Sequence, residues 1–137
     1  MSVTRDEVLA WLAAYERGWE SRDTDLIVSL FTADGLYRET RFRPPFVGHL
    51  GIRAYWETDV VARQRDIEFS STLWAIEGDI AYAHWQATFT DLKKAASRKV
   101  DGVFRLTFAS RNNNGGLLCR ELEEWWQITP ADEKAAR

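Results

Sequence analysis

Apolar residues in the first part of the chain recur at helical spacing. Val8, Leu12, Tyr15 and Trp19 follow one another at steps of four, three and four, with Trp11 beside them. Thr4 and Glu7 have the spacing of a capping box, and Asp6 adds favourable charge to the first turn, so a helix is predicted over residues 4 to 20. Asp23 is a good cap for a second, short helix that turns Leu26, Ile27, Leu30 and Phe31 inward. Asp34-Gly35 breaks that helix, and residues 36 to 40 read as a strand. Residues 41 to 47 contain Pro44-Pro45 and must be a loop, because consecutive prolines continue neither a helix nor a ladder. A third helix is predicted to start near Gly48-His49 and to bury Ile52, Tyr55 and Trp56.

After Asp66 the period changes. Residues 67 to 76, 81 to 91, 100 to 109 and 117 to 128 are runs rich in β-branched and aromatic side chains. Gly78-Asp79 and the Asn-Gly segment before Leu117 supply the residues that hairpin turns require. Ala81, Ala83, Trp85, Ala87 and Phe89 form one face of their strand, and Tyr82, His84, Gln86, Thr88 and Thr90 the other. Phe104, Leu106 and Phe108 alternate with Val103, Arg105 and Thr107, while Leu122, Trp126 and Ile128 oppose Glu121, Glu123 and Trp125. Helices first and hairpin-linked strands later describe an α+β domain with helices on one face of an antiparallel sheet. Neither face of these strands is purely polar, so a second subunit is expected on part of the other face, giving a homodimer. One domain over residues 1–128 and a polar C-terminal tail over 129–137 are expected.

Composition narrows the classes. The chain of 137 residues is 45% hydrophobic with seven Trp and seven Phe, enough for one strongly aromatic core. A net charge of −3 offers no basic field for a phosphate backbone, so no nucleic-acid partner is expected. Cys119 is alone and suits a reducing, cytoplasmic compartment. The N-terminus reads as no signal peptide, and no run is long and apolar enough for a membrane span. Two His and one Cys without close spacing suggest no metal site, and no cofactor motif is present.

Several motifs carry a resemblance when taken in order. They are Trp19-Glu-Ser-Arg-Asp23, Leu30-Phe31-Thr-Ala-Asp34, Gly48 with Ile52 and Tyr55-Trp56, Gly78-Asp79, Asp101-Gly-Val-Phe104 and Glu124-Trp-Trp126. This series resembles the SnoaL-like branch of the nuclear transport factor 2-like superfamily, which includes ketosteroid isomerases. The resemblance implies a cystatin-like cone, with three N-terminal helices packed on a curved, mostly antiparallel sheet. It implies a hydrophobic pocket, here expected to involve Trp19, Phe31, Tyr55, Trp56, Trp85, Phe104 and Trp126.

Ketosteroid isomerases use an acidic base on the first strand and an oxyanion hole made of a helix-one Tyr and a protonated Asp. By position, Glu39 resembles the base, Tyr15 the tyrosine and Asp101 the protonated acid. Each residue also has a plainer reading. Tyr15 lies on the core stripe, where its hydroxyl would bond a backbone carbonyl. Glu39 lies near Arg38 and Arg41, either of which could pair with it, and Asp101 could cap a turn. His49 at a helix start and His84 on a strand read as structural. Lys93, Lys94, Arg98 and Lys99 read as a solvated hairpin tip, with an anion site as the alternative.

Two functions follow. One is a cofactor-independent proton-transfer enzyme of isomerase or cyclase type, acting on a hydrophobic cyclic carbonyl compound. The other is a non-catalytic dimeric ligand-binding or protein-interaction domain. They separate on whether Tyr15, Glu39 and Asp101 converge.

Overall fold

The computed structural model describes residues 1–131. Helix α1 (Arg5–Glu20) opens with the reciprocal capping box. Thr4 Oγ1 accepts the Glu7 N–H at 3.2 Å, and Glu7 Oε1 accepts the Thr4 N–H at 3.0 Å. Its stripe of Val8, Trp11, Leu12, Tyr15 and Trp19 is buried. Both indole donors on that stripe find acceptors: Trp11 Nε1 reaches the Leu30 carbonyl at 3.0 Å, and Trp19 Nε1 reaches Gln64 Oε1 at 2.8 Å. Asp23 caps α2 (Thr24–Ser29) by accepting the Leu26 N–H at 3.1 Å.

Strand β1 (Phe31–Arg38) starts as soon as α2 ends, earlier than the Asp34-Gly35 pair suggests. That pair lies in a bulge, where the register of β1 against its neighbour shifts between Phe31 and Leu36. A Cβ at Gly35 would stand 3.1 Å from the Thr32 carbonyl oxygen, which is why the bulge takes a glycine. The short β2 (Phe46–Val47) leads into α3 (Gly48–Trp56), which continues as a π-helical turn, Glu57–Val61. Four long strands follow: β3 (Gln64–Glu77), β4 (Ile80–Asp91), β5 (Ala96–Arg111) and β6 (Leu117–Pro130).

The strands form one sheet in the order β2-β1-β6-β5-β4-β3. Every pair is antiparallel except β1 with β6, which run parallel. The sheet is open, and the three helices pack on its concave side. Strand β6 runs past the expected domain end at 128, pairing Thr129 with Lys99 and Pro130 with Arg98. The remainder of the expected tail, 132–137, lies outside the described residues. Edge strand β3 is broken by register shifts between Arg65 and Glu68 and between Leu73 and Ala75, with Asp66 at φ 52° inside the first.

Alternation decides what the sheet shows to the helices. Ala81, Ala83, Trp85, Ala87 and Phe89 of β4 are buried, as are Val100, Phe104 and Leu106 of β5. The small alanines leave room for the rings of α1 and α3. Tyr15 stands 5.8 Å from Trp56, 5.5 Å from Phe69 and 5.3 Å from Phe104, measured between ring centres. Burying a ring of this size removes about 200 Å² from water, worth up to ~5 kcal/mol at ~25 cal/mol per Å². Among the described residues no helix is long and apolar enough to cross a membrane.

Candidate functional site

A cavity of about 330 Å³ opens on the concave side of the sheet, between β4, β5, β6, α3 and the end of β1. Its walls are Trp19, Tyr55, Trp85, Phe89, Val100, Trp126 and Ile128, and its acidic members are Glu39, Asp59, Asp91 and Glu124. Four of the expected pocket residues, Trp19, Tyr55, Trp85 and Trp126, therefore line it. The other three, Phe31, Trp56 and Phe104, are at most 1% exposed and belong to the core beneath. Trp56 is covered by Tyr15 and Trp19, Phe31 by Trp11 and Tyr37, and Phe104 by Tyr15, Phe69 and Trp85.

Glu39 is the residue that follows β1, and it is buried at 7% exposure. Trp126 Nε1 donates to its backbone carbonyl at 2.7 Å, fixing where the chain leaves the strand. The Glu39 carboxylate pairs with Arg43, not with Arg38 or Arg41. Those two arginines reach Glu121 and Glu123 instead, and Arg41 also lies 5.3 Å over the Trp125 ring. The turn before Pro44-Pro45 folds back and brings Arg43 to Glu39, a pair at i,i+4 spacing formed outside any helix.

Tyr15 is deeper than the cavity wall. Its hydroxyl meets that of Tyr37 at 2.6 Å rather than a backbone carbonyl. Burial pushes both hydroxyls well above the ordinary tyrosine range. Tyr55 is the tyrosine that does line the cavity, held by stacking on Phe46 at 4.5 Å. Burial also raises its hydroxyl, with the charges of Glu124 and Glu39 adding to the effect.

Asp101 lies on the opposite face of the sheet, which corrects the expectation that it joins Glu39 and Tyr15. Gly102 faces inward against Trp85, so its neighbour must face outward. There Asp101 accepts from Gln86 at 2.9 Å and contacts His84 Nε2 at 2.8 Å, and these bonds hold its carboxyl below the usual range. His84 stacks on Trp74 at 5.3 Å. The ring of His49 reaches the Phe31 carbonyl at 2.9 Å and is structural.

The acid that does face the cavity is Glu124, on the inner face of β6 opposite Phe104. It is buried, and among the described residues no hydrogen bond or ion pair reaches its carboxyl. Burial pushes that carboxyl well above the ordinary range, and the charge of Glu39 adds to the shift. The site thus holds two carboxyl groups in unlike settings, one ion-paired with Arg43 and one buried without a partner among the described residues. The sequence carried a signal for Glu124, an acidic residue at an inward position between Leu122 and Trp126. Among the described residues, no group of three or more His, Cys, Asp or Glu is placed to hold a metal ion.

The family model of the SnoaL-like domain matches residues 9–114. The chain belongs to the SnoaL-like family. No curated protein sequence matches it. Solved structures agree on the fold of this SnoaL-like protein. A type 2 hexachlorocyclohexane dehydrochlorinase (LinA) superposes with a TM-score of 0.78 at 14% identity, covering 97% of this chain and 93% of the other. The epoxide hydrolase/cyclase-like enzyme SalBIII, of pyran ring formation in polyether salinomycin, gives 0.70 at 20% identity over 88% and 93%. A ketosteroid isomerase-like protein from Erwinia carotovora atroseptica gives 0.66 at 16% identity, covering 87% and 92%. At these identities the likeness concerns architecture, and function has to come from the site.

Proposed function

We propose that this SnoaL-like protein binds a small hydrophobic molecule in the cavity and moves a proton on it without a cofactor. The substrate class is a cyclic carbonyl compound, and the reaction is of isomerase or cyclase type. Glu39 is the base. Neutral Glu124 and the Tyr55 hydroxyl donate hydrogen bonds to the oxygen that becomes an enolate, and Tyr15 supports the aromatic wall behind them. The observation that carries this reading is the pair of carboxyls in one aromatic cavity, Glu39 ion-paired with Arg43 and Glu124 buried with its carboxyl raised above the ordinary range. Arg43 is the first obstacle to a working base, yet its side chain is 68% exposed. Arg43 reaches in from solvent, so an entering ligand can displace it and leave the Glu39 carboxylate to act.

The second reading, a binding domain without turnover, is favoured by the failure of Tyr15, Glu39 and Asp101 to converge and by the Arg43 contact, which occupies the carboxylate that would act. Lone, buried Cys119 supports placing the protein in the reducing cytoplasm.

The test uses a β,γ-unsaturated cyclic ketone, whose conversion to the conjugated isomer is followed by ultraviolet absorbance. Turnover by the native protein should fall at least ~100-fold in Glu39→Gln, with ligand affinity kept. Binding of the ketone with no isomerisation and no exchange of its α-protons into deuterated water would leave the binding-domain reading.

A further inference from the structure

The cavity has two chemically different ends. Glu39, Glu124 and Tyr55 form the inner end. The outer end is built by Arg63, Asp91, Lys94 and Arg98, where β4 turns into β5. Phe104, opposite Glu124, and Arg98, opposite Phe89, stand on the same face of β5, separated by about 20 Å of strand. Between them the wall is apolar, formed by Trp85, Val100 and Ile128.

The charges of the outer end do not cancel. Arg63 pairs with Asp91 at 3.4 Å, and the other oxygen of Asp91 accepts the backbone N–H groups of Lys93 and Lys94 at 3.0 and 3.3 Å. Asp59 stands on the rim. Among the described residues, neither the Lys94 ammonium nor the Arg98 guanidinium has an acidic partner.

We propose that the molecule taken into the cavity is an amphipathic carboxylic acid. Its carboxylate rests on Arg98 and Lys94, and its flat apolar body lies against Trp19, Trp85 and Trp126. This inference rests on the reading of the cavity as a ligand site and names the class of molecule it takes. Electrostatics sets the direction of entry. A carboxylate driven to the inner end would meet two acids, Glu39 and Glu124, and one cation, Arg43, which Glu39 already holds. At the outer end it meets Lys94 and Arg98, which have no acidic partner among the described residues, and it keeps part of its contact with water. The molecule therefore presents its uncharged end to Glu39 and Glu124.

The test compares naphthalene-2-carboxylate with naphthalene-2-carboxamide, two probes of nearly one shape that differ in charge. Titration calorimetry on the native protein at low salt should show the carboxylate binding about tenfold tighter or more. Added salt should narrow the gap. Arg98→Met should bring the two affinities within about twofold while leaving that of the amide unchanged, and Lys94→Met should reduce the preference in part. Equal affinities in the native protein, or a preference that survives both substitutions, would overturn the anion site and leave the ligand cavity standing. If neither naphthalene binds, the ligand-site reading falls and this inference with it. Should Arg98→Met not fold, Lys94→Met and the salt dependence decide.

Discussion

The hydroxyls of Tyr15 on the first helix and Tyr37 on the first strand meet at 2.6 Å in the core, where both side chains are at most 2% exposed. Each is the other's only side-chain hydrogen-bond partner among the described residues. Replacing either by Phe strands a buried hydroxyl and should cost about 1–3 kcal/mol. Replacing both should cost less than the sum, because no orphan remains. Urea denaturation of the two single variants and the double variant measures the coupling, and strictly additive losses would show that the two hydroxyls act independently.

Glu124 makes stability fall as pH rises. The folded state holds a proton that the unfolded chain releases above about 4.5, the ordinary glutamate value, so the native protein loses stability as pH rises from there toward the raised folded value. The slope cannot exceed about 1.4 kcal/mol per pH unit. The depressed carboxyls Glu7, Asp91 and Asp101 act below that window. Glu124→Gln should therefore flatten denaturation curves taken between pH 5 and 8 and be the more stable protein at the upper end. Superimposable pH profiles for the two proteins would refute the assignment.

Gly102 is a contact point between sheet and cavity wall. A Cβ there would stand 2.7 Å from the Trp85 ring and 2.8 Å from the Trp125 carbonyl oxygen. Since backbone lies on one side, Trp85 must move, and Gly102→Ala should cost about 1–3 kcal/mol. The near-ultraviolet circular dichroism of the indoles should change with it. An unchanged spectrum and melting temperature would mean that the strand yields at no cost.

On the outer face, Trp74 is 59% exposed and Trp125 44%. Covering them with a second copy is the proposed assembly. Light scattering at micromolar concentration should give twice the 15.8 kDa chain mass, and Trp125→Glu should shift it toward one chain. A native protein that scatters as a single chain would rule the dimer out.

What could be read before the fold was known follows from how local each signal is. The capping box at Thr4, the stripe from Val8 to Trp19 and the two faces of β4 are short-range patterns, and the structure keeps them. The outward turn of Asp101 was also within reach: Phe104, Leu106 and Phe108 mark one face, and two-residue alternation then sends residue 101 to the other. Glu124 was missed because it stands alone in an apolar set, where an acid looks like an exception instead of a site. The Glu39–Arg43 pair and the gathering of Lys94 and Arg98 at the cavity mouth depend on how loops close, which no period encodes.

The two interruptions in β3 bear on how the protein behaves in a crowded solution. A long strand at the rim of an open sheet offers its free N–H and C=O groups to any passing extended chain. In β3 that row is kinked at Asp66 and again between Leu73 and Ala75, and Asp66, Glu68 and Glu77 carry charge along it. An incoming strand would find matching partners for only a few residues before losing step. The kinks thus guard against edge-to-edge polymerisation, and straightening the first by deletion of Asp66 should raise fibre formation as read by thioflavin T fluorescence.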